Sequence, residues 1–415
     1  MNKALIVIGL GFGDESKGAT TDALARRHDA KLIIRFNGGP QTAHNVVCSD
    51  GRHHTFAQFG SASFIPGVRT HLSRFTLINP MNMLREEAHL REVGVTDAFD
   101  RLTVDEGCVV ITPFQRSLNR LVEWSRGSKA HGSCGQGVGQ ARSDQIECGD
   151  KVLYAGDLRD EATVKAKLKF VQKRMQDKAL ELGDFHYGKE AAHVFADIFD
   201  DNVIDWCWRE YSKVPLKIVS SDYLKLLVER NRNVIFEGAQ GVLLDEKYGT
   251  APHNTWTDCT CRNADTLLKE IGFDGTVQRI GVLRTYFTRH GAGPFETEDW
   301  RLTALLPELH NDNNGFQGTF RRGHFDAVQA RYAVNVSGGV NEIALTHLDA
   351  FDRLKLAQIR VAGSRVLGHE YVSCASPLEF VQHVELLLRV PVTILSSGPT
   401  AEHRTERVPE VSEAA

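Results

Sequence analysis

Several whole classes of protein are missing from this chain's composition. Its eight cysteines, at 48, 108, 134, 148, 207, 259, 261 and 374, include no CxxC and no paired spacing. That excludes a disulfide scaffold and fits reduced thiols in a cytoplasmic protein. Cys259 and Cys261 stand near His253, but C-x-C without a second cluster does not make a zinc site. No apolar run approaches the ~20 residues of a spanning helix, and no basic-then-apolar leader precedes Ala4. Charge of one sign is also scarce. The 49 Lys and Arg against 53 Asp and Glu leave a formal net charge of −4, so nothing draws the chain to nucleic acid or membrane. No repeat and no Gly/Ser- or Pro-rich linker divides its 415 residues. One large domain over 1–415 is expected, with the polar tail 405–415 frayed.

What is present is an alternation. Short apolar, β-branched runs fall at 4–8, 31–35, 109–112, 234–236, 276–283, 342–346 and 392–395. Helical patterns lie at 17–27, 160–182, 223–231 and 327–334. Strands alternating with helices predict an α/β protein: a large, mostly parallel central sheet with helices on both faces and long functional loops.

In such sheets ligands bind beyond the carboxyl ends of the strands. After the first run comes Gly9-Leu10-Gly11-Phe12-Gly13-Asp14-Glu15-Ser16-Lys17-Gly18. Glycines let backbone N–H groups close on an anion, the following helix favours it, and Lys17 adds a point charge. The spacing matches neither G-x-x-x-x-G-K-[ST] nor G-x-G-x-x-G. Two acids inside an anion-binding loop are unusual. A carboxylate repels phosphate unless it holds a metal ion or moves a proton, which makes Asp14 a catalytic candidate. Three more polar, glycine-containing segments follow strands: Arg35 to Asn45, Phe236 to Gly241 and Thr285 to Phe295. Ser396-Ser397-Gly398-Pro399 follows the last strand. On the residues alone, His44 is more often a surface or satisfied histidine than an acid, and Gln240 is as readily a turn residue and Asp349 a cap.

Together these segments resemble adenylosuccinate synthetase, a family that joins aspartate to IMP using GTP. The family's W-G-D-E-G-K-G is similar to Phe12 through Gly18, and its G-G-x-N-A-G-H-T to Gly38 through Asn45. Its F-E-G-A-Q-G-x-L-L-D is matched without a gap by Phe236 to Asp245. Its T-R-V-G-x-G-P-F-x-T-E resembles Thr288 to Glu298, and its L-T-K-L-D resembles Leu345 to Asp349. The motifs keep family order from residue 9 to residue 399.

The resemblance implies an adenylosuccinate synthetase-like fold related to P-loop NTPases, a homodimer, and Mg²⁺ held by Asp14 and the Ala43 carbonyl. It implies that Asp14, His44, Lys17 and Gln240 are catalytic. GTP would meet Gly13, Glu15, Ser16, Gly18, His347, Asp349, Ser397, Gly398 and Pro399. IMP would meet Gln41, Ser133, Cys134, Gln240 and Thr255, and aspartate would meet Thr319, Arg321 and Arg322.

Four departures stand out. Ser16 replaces a loop glycine, and His347 replaces the lysine whose stem packs on guanine. The stretch Ile146-Glu147-Cys148-Gly149 lacks an arginine that reaches the neighbour's IMP phosphate, although Arg142 lies upstream. The family's T-T-G-R-x-R-R-x-G-W-x-D becomes Phe316 to Asp326, which needs a gap to align; Arg321 and Arg322 remain, and Phe320 leaves room for a changed donor. These leave room for a paralogue using another purine nucleotide or amino acid, or for a catalytically silent nucleotide-binding protein. Phage relatives that use dGMP lack the first-loop aspartate, so Asp14 favours IMP.

Overall fold

A computed structural model describes residues 2–183, 188–306, 308, 316–364 and 368–408. Its centre is a ten-stranded sheet. From one edge the strands run Arg404–Glu406, Val392–Ser396, Glu342–Thr346, Thr276–Arg284, Lys3–Gly9, Asn233–Gly241, Leu32–Arg35, Arg69–Leu72, Leu102–Asp105 and Ile218–Val219. All neighbours are parallel except the edge pair formed by Arg404–Glu406. That edge strand reaches into the segment expected to fray; residues 409–415 lie outside the described residues.

The reason for the apolar runs is visible in strand Lys3–Gly9. Ala4, Ile6 and Ile8 enter one core with Leu224, Leu267 and Ala330. Leu5 and Val7 enter a different core with Leu24, Ile33 and Ile394. Each face of the strand is thus covered, so alternation disappears from its sequence. A further core gathers the helices Pro113–Arg126, Glu161–Glu181, Lys189–Phe199 and Asn202–Tyr211. The expected long helix is there, started by Asp160, whose carboxylate accepts from the Thr163 amide at 2.8 Å.

Two expectations change. Val109–Val110 pairs with Leu77–Ile78 in a separate small sheet, outside the central one. The segment carrying Arg321 and Arg322, expected to meet aspartate, is mostly the strand Phe320–Asp326. It pairs antiparallel with Tyr286–His290 in a second sheet completed by Ala357–Ser364 and Gly368–Cys374.

One sheet histidine predicts an acid-sensitive fold. His71 is fully buried, its Nδ1 is 3.0 Å from Thr103 Oγ1, and its Nε2 has no hydrogen-bond partner. Burial pushes its pKa down to about 4. Below about 6.5 the unfolded chain takes up a proton that the folded chain refuses until about 4. Stability present above that window is therefore lost as pH falls through it. Urea titrations of the protein and of His71→Phe at pH 7 and pH 4.5 check this. The unaltered protein should lose about 2–3 kcal/mol more than the variant.

Candidate active site

The functional side chains converge on one cavity of about 1180 Å³. Its wall is built where strands end, from Gly13, Asp14 and Ser16 to Ala19, Gln41 to Asn45, Gln240, Arg284, His347 and Ser396. Residues 131–134, 138–139 and 251–256 complete its lining.

The first loop turns through left-handed backbone. Gly13 has φ 93, Asp14 φ 61 and Ser16 φ 72. Ser16 thus adopts the conformation for which the family pattern supplies glycine, at a cost of about 1–2 kcal/mol. The zigzag sends Asp14 outward and Glu15 inward. Glu15 accepts from the Gly11 and Gly13 amides at 3.1 and 2.7 Å and from Lys17 Nζ at 2.6 Å. The second acid is therefore the loop's internal strut and the counter-ion of Lys17, and it does not line the cavity. Helix Lys17–Arg27 begins immediately, and its first residues, Lys17, Gly18 and Ala19, line the cavity.

Asp14 faces the cavity with its Oδ2 3.3 Å from His290 Nε2. Burial opposes its ionisation, but the hydrogen bond from His290 and the charges of His290, Arg284 and Lys17 outweigh it. The carboxyl is held below its usual range. Arg284 anchors the same loop, donating to the Asp14 carbonyl at 3.2 Å and to Tyr286 Oη at 2.5 Å while pairing with Glu308.

His44 opens the strand His44–Val47, and its Nδ1 lies 2.6 Å from Glu237 Oε1. Glu237 is fully buried and also accepts from the Ser61 amide at 3.0 Å and from the Ser61 hydroxyl. Burial pushes the His44 pKa down to about 4 despite this partner. With Glu237 accepting at Nδ1, the neutral ring turns Nε2 away from it; Nε2 is buried without a partner, and His44 lines the cavity. Glu237 is a residue the sequence reading quoted but did not select. The available signal was an acid inside an apolar strand, which has to be paired.

The contact between loops is tight at Gly18, where a Cβ would lie 2.5 Å from His44 Cβ. Gly18→Ala should therefore push His44 off Glu237 and cost about 1–3 kcal/mol, read from the urea midpoint.

Of the other expected residues, Gln41, Ala43, Ser133, Cys134, Gln240 and Thr255 all line the cavity. Gln240, at φ 58, accepts from Thr257 Oγ1 at 3.2 Å, and Ser133 Oγ accepts from Asn119 Nδ2 at 3.1 Å. Burial raises the Cys134 thiol to about 11, so a weak neutral donor stands where the family pattern has threonine. His347, Asp349, Gly398 and Pro399 also line the cavity; Ser397 is exposed and is replaced on the wall by Ser396. Burial, with Arg284 and Arg404 nearby, holds His347 well below its usual pKa, so it offers a neutral ring and no charge.

Thr319, Arg321 and Arg322 do not line the cavity. Neighbours on a strand point to opposite faces, which already separates the two arginines. Arg321 is held by Glu298 at 2.8 Å and donates to the Gly291 and Gly293 carbonyls. Arg322 is buried and donates to the Phe320 carbonyl at 3.4 Å. Arg289 does line the cavity, but its guanidinium is committed to the carbonyls of Ala292, Pro294 and His253.

Asp14 and Ala43, the pair the resemblance assigns to a cation, both line the cavity, and a carboxylate is a hard oxygen donor. Among the described residues no cluster of three or more His, Cys, Asp or Glu could hold a metal ion. That set fits a hard divalent cation whose remaining ligands come from substrate and water. No helix among the described residues is long and apolar enough to cross a membrane.

Known proteins share this sequence and fold over almost the whole chain. Residues 6–371 match the family described as adenylosuccinate synthetase. The chain is 32% identical to the adenylosuccinate synthetase of Thioalkalivibrio sulfidiphilus, covering 96% of this chain and 97% of that one. It is 29% identical to that of Edwardsiella ictaluri, covering 97% and 98%. Among solved structures, fully ligated adenylosuccinate synthetase from Plasmodium falciparum superimposes with a TM-score of 0.80 at 19% identity, covering 97% and 99%. Cyanophage S-2L succinoaminodeoxyadenylate synthetase, bound to dGMP and dATP, gives 0.65 at 17%, covering 98% and 95%. The family's members are ligases that form C–N bonds with the help of a divalent cation. This chain belongs to the adenylosuccinate synthetase family.

Proposed function

We propose that the protein ligates L-aspartate to IMP, driven by GTP, through a 6-phosphoryl intermediate. The observation that carries this reading is one cavity lined by an ionised Asp14 and by a His44 whose far ring nitrogen is bare. The 6-oxo group of a hypoxanthine is a poor leaving group. Asp14 accepts a hydrogen bond from N1–H and takes the proton as O6 bonds to the γ-phosphorus and the bond to GDP breaks. Its low pKa suits a base whose proton transfer is pulled along by that bond formation, because N1–H acidifies as O6 is phosphorylated.

His44 is neutral in the free protein and becomes a donor at Nε2 when anionic phosphate enters. Glu237 stabilises the resulting imidazolium and fixes the ring. The amino group of aspartate then attacks C6, and the C6–O bond breaks to release phosphate. Mg²⁺ on Asp14 and Ala43 would neutralise charge on the transferring phosphoryl group. Asp349 would accept from guanine's N1–H and 2-amino group, a pattern adenine does not offer. Thr255, Ser133 and Cys134 would hold the IMP phosphate. The resemblance adds a homodimer in the cytoplasm.

A second reading, another amino acid as donor, is favoured by Arg321 and Arg322 lying off the cavity wall. Purified protein with IMP, GTP, Mg²⁺ and L-aspartate should raise the absorbance of a succinylated purine, and a panel of nucleotides and amino acids separates the two readings. No product from IMP with any amino acid overturns both.

A further inference from the structure

We propose that His290 is a positioning residue for this reaction, aiming the Asp14 carboxylate at the nucleotide's N1–H; the inference rests on the role proposed above for Asp14. His290 stands where the family pattern T-R-V-G places valine, a side chain that cannot hydrogen-bond. Here its Nε2 is 3.3 Å from Asp14 Oδ2, and both residues line the cavity. Arg284 reaches Asp14 only at its backbone carbonyl. Among the described residues, His290 is the side chain that hydrogen-bonds the carboxylate.

The imidazole is itself well held. His290 faces Phe320 across the strand pair, with ring centroids 4.7 Å apart at 56°. On the same strand, Arg321 donates to the carbonyls of Gly291 and Gly293 at 3.0 and 2.9 Å, with Glu298 fixing its other edge. The arginine assigned by sequence to the amino acid instead braces the turn that follows His290. Phe320 is the ring packed against His290. A group set on paired strands is placed more tightly than one on a loop. Asp14, at φ 61 in a loop, gains most from such a partner.

A misplacement of about 1 Å in a reacting group can lower a rate by ~10²-fold. His290→Val should therefore lower kcat by roughly 10- to 100-fold, with the KM for nucleotide changed by less than about 3-fold. His290→Gln, which restores an N–H near the Nε2 position, should recover most of that loss. Independently of turnover, ¹⁵N-histidine NMR reads the contact. The Nε2 resonance that disappears in His290→Gln should move in Asp14→Ala; an unmoved resonance overturns the contact and the proposal with it. A normal kcat in His290→Val also overturns it, as does a matching fall in kcat and thermal midpoint without rescue by glutamine. Absence of turnover in the unaltered protein instead overturns the functional reading and leaves the NMR result to decide the contact.

Discussion

Asp14→Asn should lower kcat by roughly 10²- to 10⁴-fold, the range supplied by a positioned proton acceptor. Asparagine has the same shape and tolerates left-handed backbone, so φ 61 at this position is no obstacle to folding. It cannot take the N1 proton, and its amide is a far poorer ligand for a cation. The carboxylate is held below its usual range by His290, Arg284 and Lys17 against the opposition of burial. It is therefore already ionised when substrate arrives, and the variant removes a charge present throughout neutral pH. IMP affinity, read by calorimetry, should change only a few-fold while steady-state turnover collapses. That split separates lost chemistry from lost binding. Turnover retained within 10-fold would remove Asp14 from the chemistry.

Glu237→Gln should have the second large effect, because one oxygen cannot do the work of two. Glu237 accepts from His44 Nδ1 at 2.6 Å, from the Ser61 amide at 3.0 Å and from the Ser61 hydroxyl. A glutamine turns an N–H₂ toward one of these donors. Turned toward His44, it forces the proton to the other ring nitrogen, the fault that costs a serine protease about 10⁴-fold when its buried aspartate becomes asparagine. Turned toward Ser61, it opposes a donating amide and leaves it unsatisfied. Either way a buried hydrogen-bonded charge is lost beside Arg35, itself buried and bonded to the Ala57 and Phe59 carbonyls. A loss of roughly 10²- to 10⁴-fold in kcat and about 2–4 kcal/mol in stability is expected. Paired kinetics and urea unfolding read both. Kinetics like those of the unaltered protein would mean that His44 needs no partner.

Much of this was open to reading in the chain. Strands such as Lys3–Gly9 are buried on both faces, so their apolar runs announce a parallel sheet. The loops at strand ends carried Asp14, His44 and Gln240 in recognisable order, and the cavity brings them together. What escaped was non-local. Phe-Arg-Arg-Gly-His-Phe-Asp, residues 320–326, has charge enough to read as a loop. It is a strand because Tyr286–His290 and Ala357–Ser364 lie beside it, and nothing near it in sequence reports those neighbours. That pairing decides the fate of the arginines: Arg321 is drawn to Glu298 and two carbonyls, away from the cavity. Glu15 looked like a phosphate-loop acid, yet its oxygens serve the loop's own amides and Lys17. Only the left-handed turns at Asp14 and Ser16 make that possible.

The central claim is that O6 of the nucleotide receives the phosphoryl group before nitrogen replaces it. IMP labelled with ¹⁸O at the 6-position, turned over with GTP and L-aspartate, tests that directly by mass spectrometry of the released phosphate. The account predicts one ¹⁸O in each phosphate formed. Product formation with unlabelled phosphate would contradict it.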